Sequence, residues 1–531
     1  MEHLLEKLSE NGESGIYPCH MPGHKRNGWG ELPRQLCRMD ITEIEGFDDL
    51  HQPEGILLEL QKKAAELCGA DESFYLVNGS TGGILSAVSA ALPAGGHILM
   101  ARNCHKSAYH AAYLRNLTIS YLYPQVLKEF DICEGVTPDQ VREMLESRPD
   151  VGAVLVVSPT YEGRLADIRG IAEAVHEKGI PLIVDEAHGA HLGFSREVQE
   201  NSNRQGADLV IQSVHKTLPA LTQTALLHVN GDRIDRELLR RFLRIYQSSS
   251  PSYLLMASID NALQYLERDG KAAFAEFRKR YEGMMEKLSL CKALKFLPFQ
   301  REHQDLGKLL ISVKNTEMTG RQLYDILLNK YRIQTEMAAE SYVLAMFTVN
   351  DGQEGYDRMT EALLETDRSL VRKPSLAESS GERYSGLYTG AMGRDSCGRS
   401  VCDMDVCGRS VFGSGMPDEN ADGQDSTDRE PCKLTEAWDE IREEIPLEES
   451  EGRLAGEFVN LYPPGIPLLV PGERITGELC GRISSWVQQG LTVQGVRQAE
   501  GRCLIRVLAA GVHEGRGICF EGQKREYEDG R

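Results

Sequence analysis

Short, nearly continuous apolar runs that end in polar turns recur along the first half of the chain. Ser73–Val77, His97–Ala101, Leu117–Leu122, Val151–Val157, the run into Asp185, Ala207–Ile211 and Thr224–Val229 each have the length of a strand and lack the alternation of a half-exposed one. Between them lie stretches with helical spacing. Ile56, Leu60, Ala64 and Leu67 share one face and are followed by Gly69 as a terminator; Ile84–Leu92, 138–147 and 168–178 follow. Strand–helix alternation of this kind predicts an α/β fold, a mostly parallel sheet covered by helices on both faces. A basic helix near 233–244 comes next, and Ser248-Ser-Ser-Pro-Ser-Tyr253 opens a long helix reaching about Leu288. Gly307–Val313, a helix near 319–331, Tyr342–Val349 and a helix over 353–371 predict a smaller α+β domain.

The pattern then fails. Residues 374–434 are rich in Ser, Gly, Asp and Arg and repeat Cys397-Gly-Arg-Ser-Val401 as Cys407-Gly-Arg-Ser-Val411. Such a segment cannot bury enough surface to offset its ordering entropy, and a disordered linker is expected. Periodicity returns with a helical stretch from Leu434 to Glu444, a proline-rich extended path over Glu457–Glu473, a helix near 476–488 and a strand near 503–508, with a frayed end from about Gly511. The expected organisation is an N-terminal arm (1–50), a large domain (51–250), a small domain (251–373), the linker (374–434) and a C-terminal domain (435–531).

Composition narrows the function. The 531 residues carry a net charge of −21, which argues against binding nucleic acid. No apolar run approaches transmembrane length, and Met1-Glu-His-Leu-Leu-Glu-Lys7 has no signal-peptide core. Thirteen scattered cysteines without a Cys-x-x-Cys pair suggest reduced thiols, so a cytoplasmic protein is expected.

The strand ends carry the candidate chemistry. One run delivers Asp185 at its carboxyl end, and the next breaks into Ser213, His215 and Lys216. A lone lysine after a strand is ordinarily an exposed loop residue. Adjacent strands would instead place acid and lysine at the one sheet edge where α/β folds bind ligands. Asn78-Gly-Ser-Thr-Gly-Gly83 links a strand to a helix and reads as a phosphate cradle formed by Gly79, Ser80 and Thr81. It is not an ATP-binding loop: the Gly-Lys pairs, Gly270-Lys271 and Gly307-Lys308, precede Ala272 and Leu309 rather than Ser or Thr, so Asp185-Glu-Ala-His188 does not signal a helicase. His105 also follows a strand and serves either as a polar turn residue or as a ring stacked on a flat cofactor. Thr160 reaches the same edge. Asp185, His188 and His191 have spacings a metal could use, but a metal leaves the cradle and Lys216 unexplained, so none is expected. An acid able to hold a pyridinium nitrogen and a lysine able to bind an aldehyde are the two groups pyridoxal phosphate requires.

Five motifs extend that reading: Pro22-Gly-His-Lys25, Asp48-Asp-Leu-His51, Asn103-Cys-His-Lys106, Ser213-Val-His-Lys216 and Tyr462-Pro-Pro-Gly-Ile-Pro467. With them, about residues 15–372 and 434–508 resemble the bacterial ornithine/lysine/arginine decarboxylases. The resemblance implies the aspartate-aminotransferase (type I) fold of pyridoxal-phosphate enzymes and decarboxylation of arginine, lysine or ornithine. It implies that Lys216 carries the cofactor, Asp185 pairs with its ring nitrogen and His105 stacks on the ring. Ser80, Thr81, Ser213 and His215 would serve the phosphate, and Ser249, Ser250 or Ser252 a neighbouring subunit's phosphate. Lys216 or a histidine, His188 among them, would return the proton. Glu43, Asp48, Asp49 and Glu336 are the candidate acids for the substrate's side-chain cation. The chain departs from the family in its longer linker and in lacking the N-terminal wing domain, so a homodimer or tetramer is expected. An aminotransferase or aldolase of the same fold, or a non-catalytic relative, remains open at this point.

Overall fold

The structure, a computed structural model, describes residues 2–14, 22, 25, 34–370, 433–462, 465–499 and 501–509. The expected linker, apart from its last two residues, lies outside them. So do most of Tyr17–Gly28 and the C-terminus from Gly511.

Seven strands form the large sheet, in the order Glu72–Leu76, Ala225–Val229, Leu209–Ser213, Leu182–Asp185, Ala153–Val157, His97–Ala101 and Thr118–Leu122. Only Ala225–Val229 runs antiparallel to its neighbours; the other pairings are parallel. Strands covered on both faces must be apolar throughout, and all five residues of His97–Ala101 and of Leu209–Ser213 are buried. Helix Pro138–Ser147 has the expected bounds for a local reason. Thr137 and Gln140 cap each other's backbone N–H, and Pro138 occupies the first turn, where its missing N–H costs nothing.

One helix starts earlier than expected. Gly79–Ala91 takes in the glycine-rich turn as its own first turn. Glycine allows this because the helix lies hard against the sheet: a Cβ on Gly83 would stand 2.7 Å from Leu76 Cδ1 and 2.9 Å from Ile211 Cγ2.

Beyond the large sheet, Ser252 caps the 36-residue helix Tyr253–Leu288, accepting from the Leu255 N–H. The first helix, Leu4–Glu13, packs on it with Leu4 and Leu8 buried, and Asp260 accepts the Leu4 N–H at 3.1 Å. The smaller sheet is antiparallel, in the order Lys295–Phe296, Lys308–Ser312, Tyr342–Met346 and Met337–Ala338. Its two-residue edge strands are too short to leave a periodic signal.

The C-terminal segment corrects two expectations. The helix at Leu434 stops at Asp439, and Arg442–Pro446 is a strand paired antiparallel with Arg502–Leu508. Pro446 disfavours helix at the residue before it, and the long strand offers an open edge. The proline-rich path is a hairpin, Val459–Leu461 against Ile466–Leu469, rather than one extended segment. Trp486 is fully buried and donates to Glu340 at 3.2 Å, so this segment shares a core with the smaller sheet.

Candidate active site

Asp185 and Lys216 come together as the strand register dictates. Asp185 pairs in register with Ile211, and the neighbouring strand continues to Ser213 before one helical turn, Val214–Thr217, presents Lys216. Both groups line a cavity of about 240 Å3. Gly79, Ser80, Thr81, His105, His188, Ser213 and His215 line it too, whereas Thr160 does not. The Thr160 hydroxyl instead accepts the Arg164 N–H at 3.0 Å and closes a turn. Burial raises the Asp185 carboxyl above its usual range, opposed by Lys216 and by the Ala187 N–H at 3.1 Å. Burial lowers the Lys216 ammonium, opposed by Asp185 and Glu336.

The cavity fits a phosphorylated cofactor. Helix Gly79–Ala91 opens on Gly79 with φ +68°, and no side chain caps its N-terminus. The first N–H groups of a helix have no intrahelical partner, and the dipole favours an anion there. Asn78, at the cap position, instead donates to Tyr246 O at 3.2 Å. Ser213 Oγ and Asn103 Oδ1 are buried without a hydrogen-bond partner among the described residues, and both residues line the cavity. Buried polar atoms ordinarily find partners, so these are donor and acceptor positions held for a ligand. His215 Nδ1–H donates to Thr224 O at 2.9 Å, which orients the ring.

His105 is seated from two sides. Its Nδ1 accepts the Ser107 N–H at 3.2 Å as the cap of helix Lys106–Leu114. The C-terminal hairpin covers it: Lys106 N–H donates to Gly465 O at 3.2 Å, and a Cβ on Gly465 would lie 3.4 Å from His105 Nε2. Burial pushes the ring pKa down to about 3, so it is a neutral plane suited to stacking. Gly465 has φ +80°, a conformation that costs other residues about 1–2 kcal/mol. Gly465→Ala should lower folding stability by about that amount, and should slow CO2 release more than the stability loss explains because it crowds His105. Denaturant unfolding and initial rates at saturating cofactor read the two effects; an unchanged rate would show that the hairpin does not seat the ring.

Several site residues escape the sequence reading. Ile466 and Tyr161 line the cavity. The Tyr161 ring meets His188 edge-on, with centroids 4.9 Å apart, and its hydroxyl donates to Glu336. Fully buried Lys308 Nζ stands 2.9 Å from His188 Nδ1, and His188 Nε2 stands 3.1 Å from Lys216 Nζ. Gly307-Lys308 stands out in the sequence only as a failed ATP-loop pair, and no spacing links Lys308 to Lys216. His191 turns to Asp305 at 2.9 Å, so Asp185, His188 and His191 do not converge as a metal site. No group of three or more His, Cys, Asp or Glu side chains able to hold a metal occurs among the described residues.

The candidate acids separate as well. Asp48 is a loop clamp with φ +67°: its carboxylate accepts the N–H groups of Asp49, Glu54, Gly55 and Leu57. Those bonds hold its pKa down against burial, the largest single influence. Asp49 accepts the His51 N–H at 2.8 Å. Neither these two nor Glu43 lines the cavity. Glu336 is bonded to the cavity-lining Tyr161 and acts electrostatically on Lys216. Ser249 and Ser250 are exposed, and Ser252 is used as a helix cap. A larger hollow of about 780 Å3 beside helices Ile56–Cys68 and Arg236–Tyr246 contains none of the strand-end residues; its Arg236 and Arg240 are paired with Glu72. Convergent chemistry, not volume, picks out the smaller cavity.

Comparison with known proteins identifies the family and the fold. Residues 5–351 match the family model "Orn/Lys/Arg decarboxylase, major domain", and residues 432–486 match the family's C-terminal domain. The chain is 32% identical to an arginine decarboxylase of Bacillus subtilis, over 90% of this chain and 91% of the relative. It is 24% identical to the lysine decarboxylase LdcA of Pseudomonas aeruginosa, over 89% of this chain and 74% of that one. The fold matches the solved lysine decarboxylase A from Pseudomonas aeruginosa with a TM-score of 0.74 at 18% identity, covering 96% of this chain and 80% of that one. The chain belongs to the Orn/Lys/Arg decarboxylase family and is an amino-acid decarboxylase that works with pyridoxal phosphate.

Proposed function

We propose that the chain decarboxylates arginine, with Lys216 carrying the cofactor, Asp185 pairing with its ring nitrogen and His105 stacked on the ring. The observation that carries the reading is the meeting of Lys216, Asp185, His105 and the uncapped Gly79 helix in one cavity. Gly79, Ser80, Thr81, Ser213 and His215 hold the phosphate. Bound pyridoxal phosphate supplies an electron sink for the pair left behind as CO2 departs. The protein supplies the rest. Asp185, whose carboxylate would be ionised against the cofactor's ring nitrogen, would keep that nitrogen protonated. The uncapped helix fixes the phosphate, and the Lys216–His188 pair returns a proton to the α-carbon.

Arginine is favoured over lysine and ornithine because near-full-length relatives carry the name arginine decarboxylase, among them proteins of Bacillus subtilis and Bacillus anthracis. Glu336 receives the side-chain cation. Glu336→Gln should then lower kcat/KM about 10–100-fold, the loss expected when a hydrogen bond to a charged group goes. CO2 release from arginine, lysine and ornithine in separate reactions tests the substrate. Transfer of the amino group to a keto acid without CO2 would overturn the reading. No helix of the described residues is long and apolar enough to cross a membrane. The working form proposed is a cytoplasmic homodimer or tetramer in which exposed Ser249 and Ser250 face the neighbouring subunit.

A further inference from the structure

We propose that Lys308 is a positioning residue for the reaction: its Nζ donates to His188 Nδ1, which holds the ring proton on Nε2 and points it at Lys216 Nζ. The inference rests on the reading that Lys216 carries the cofactor.

The argument begins with donors and acceptors. A neutral imidazole has one N–H and one acceptor nitrogen, whereas an ammonium only donates. His188 lies between two lysines, Lys308 Nζ at 2.9 Å from Nδ1 and Lys216 Nζ at 3.1 Å from Nε2. Two protonated lysines would demand two acceptors, which a neutral ring cannot supply without being bare of protons. One lysine must therefore meet an N–H, and that lysine must be neutral. Burial disfavours charge on both, and negative groups lie near both. Lys308 is enclosed by negative groups: Asp305, Glu336 and Glu162 all favour its charge, and Lys216 opposes it. Its Nζ also lies 3.3 Å from Met346 Sδ and 5.4 Å from the Tyr161 ring centroid. Asp305 is held in place behind it, accepting the Gly307 N–H at 3.0 Å and paired with His191 at 2.9 Å. Asp185 and Glu336 likewise favour charge on Lys216, against burial, so the role proposed for Lys216 makes the choice: an amine that binds an aldehyde must be neutral, which leaves Lys308 as the charged partner. His188 is itself kept neutral, by burial first and by the charged Lys308 beside it. A neutral Lys216 amine facing an N–H is the form that can bind an aldehyde.

A buried lysine can otherwise be a structural tie, so the test must read the tautomer and the pH profile. Burial pulls Lys308 down to about 8, with Asp305 opposing. Turnover should therefore fall as pH rises through about 8, where Lys308 loses its proton and His188 is released from a single tautomer. Lys308→Met should reduce kcat about 10–100-fold, the range seen when the outer partner that fixes a histidine tautomer is lost, with little change in KM. The alkaline fall should vanish, and an acid-side fall should move upward, because His188 has lost a cationic neighbour. Lys308→Arg, which keeps a cationic donor, should restore most of kcat and push the alkaline fall to higher pH. Full-length protein with 15N-labelled histidine rings, with and without pyridoxal phosphate, should show the His188 proton on Nε2 below pH 8, a measurement that needs neither a variant nor turnover. A proton on Nδ1, or a Lys308→Met enzyme with the wild-type pH profile, overturns the proposal. Absence of CO2 release by wild type would instead overturn the underlying reading and leaves the histidine measurement intact.

Discussion

Lys216→Ala should yield a folded protein in which borohydride no longer joins chain and cofactor, and CO2 release should fall by about 10²–10⁴-fold or more. The size of the effect follows from one side chain having two duties. Lys216 is the lysine that ends the Leu209–Ser213 strand in the cavity, within reach of Asp185, and its Nζ stands at His188. Burial lowers its pKa, so the neutral amine is more populated at neutral pH than for an exposed lysine. Removing it deletes the covalent attachment and the group beside His188 that returns a proton. Folding should survive: burial already disfavours the charged form, and no hydrogen bond of the surrounding strands depends on the side chain. Intact mass after borohydride treatment, with CO2 measured in parallel, checks both halves. A mutant that still forms the reducible link would place the cofactor on another lysine, and Lys308 is the one to examine.

How much of this was legible beforehand depended on whether the signal was local. Buried strands announced themselves as apolar runs because both faces of the sheet are covered. Asp185 and Lys216 could be paired because each ends such a run. The helix Pro138–Ser147 was legible from its spacing, and its start is fixed locally by Thr137, Pro138 and Gln140. Signals that depend on distant partners were not. Arg442–Pro446 is a strand only because Arg502–Leu508 lies beside it. Thr160 sits in the right segment, yet a hydrogen bond to Arg164 removes it from the cavity. Asp48 has the chemistry of a substrate-binding acid and is consumed by four backbone amides. Lys308 begins a strand of the smaller sheet, and its meeting with His188 exists only after two sheets pack together.

Asp185→Asn should separate binding from chemistry. The phosphate contacts proposed for Gly79, Ser80, Thr81, Ser213 and His215 do not involve Asp185, so the mutant should still take up pyridoxal phosphate. Losing a hydrogen bond to a charged group costs about 1.5–3 kcal/mol, or roughly 10–100-fold in affinity. The rate should fall further, by at least about 10²–10³-fold, because the carboxylate counts most when charge moves into the ring. Stability provides the internal control. Burial raises the Asp185 carboxyl above its unfolded value, so in the cofactor-free protein its neutral form is favoured by folding. Stability from this group is therefore present at low pH and lost as pH rises through the folded pKa, and at neutral pH the ionised carboxylate is a net cost. Asparagine has no charge to desolvate, so the cofactor-free mutant should melt no lower than wild type near pH 7, and its melting temperature should depend less on pH above 4. Slow turnover in a protein of undiminished stability would place the loss in chemistry. Near-normal turnover would mean that another group protonates the ring, and the role proposed for Asp185 would be wrong.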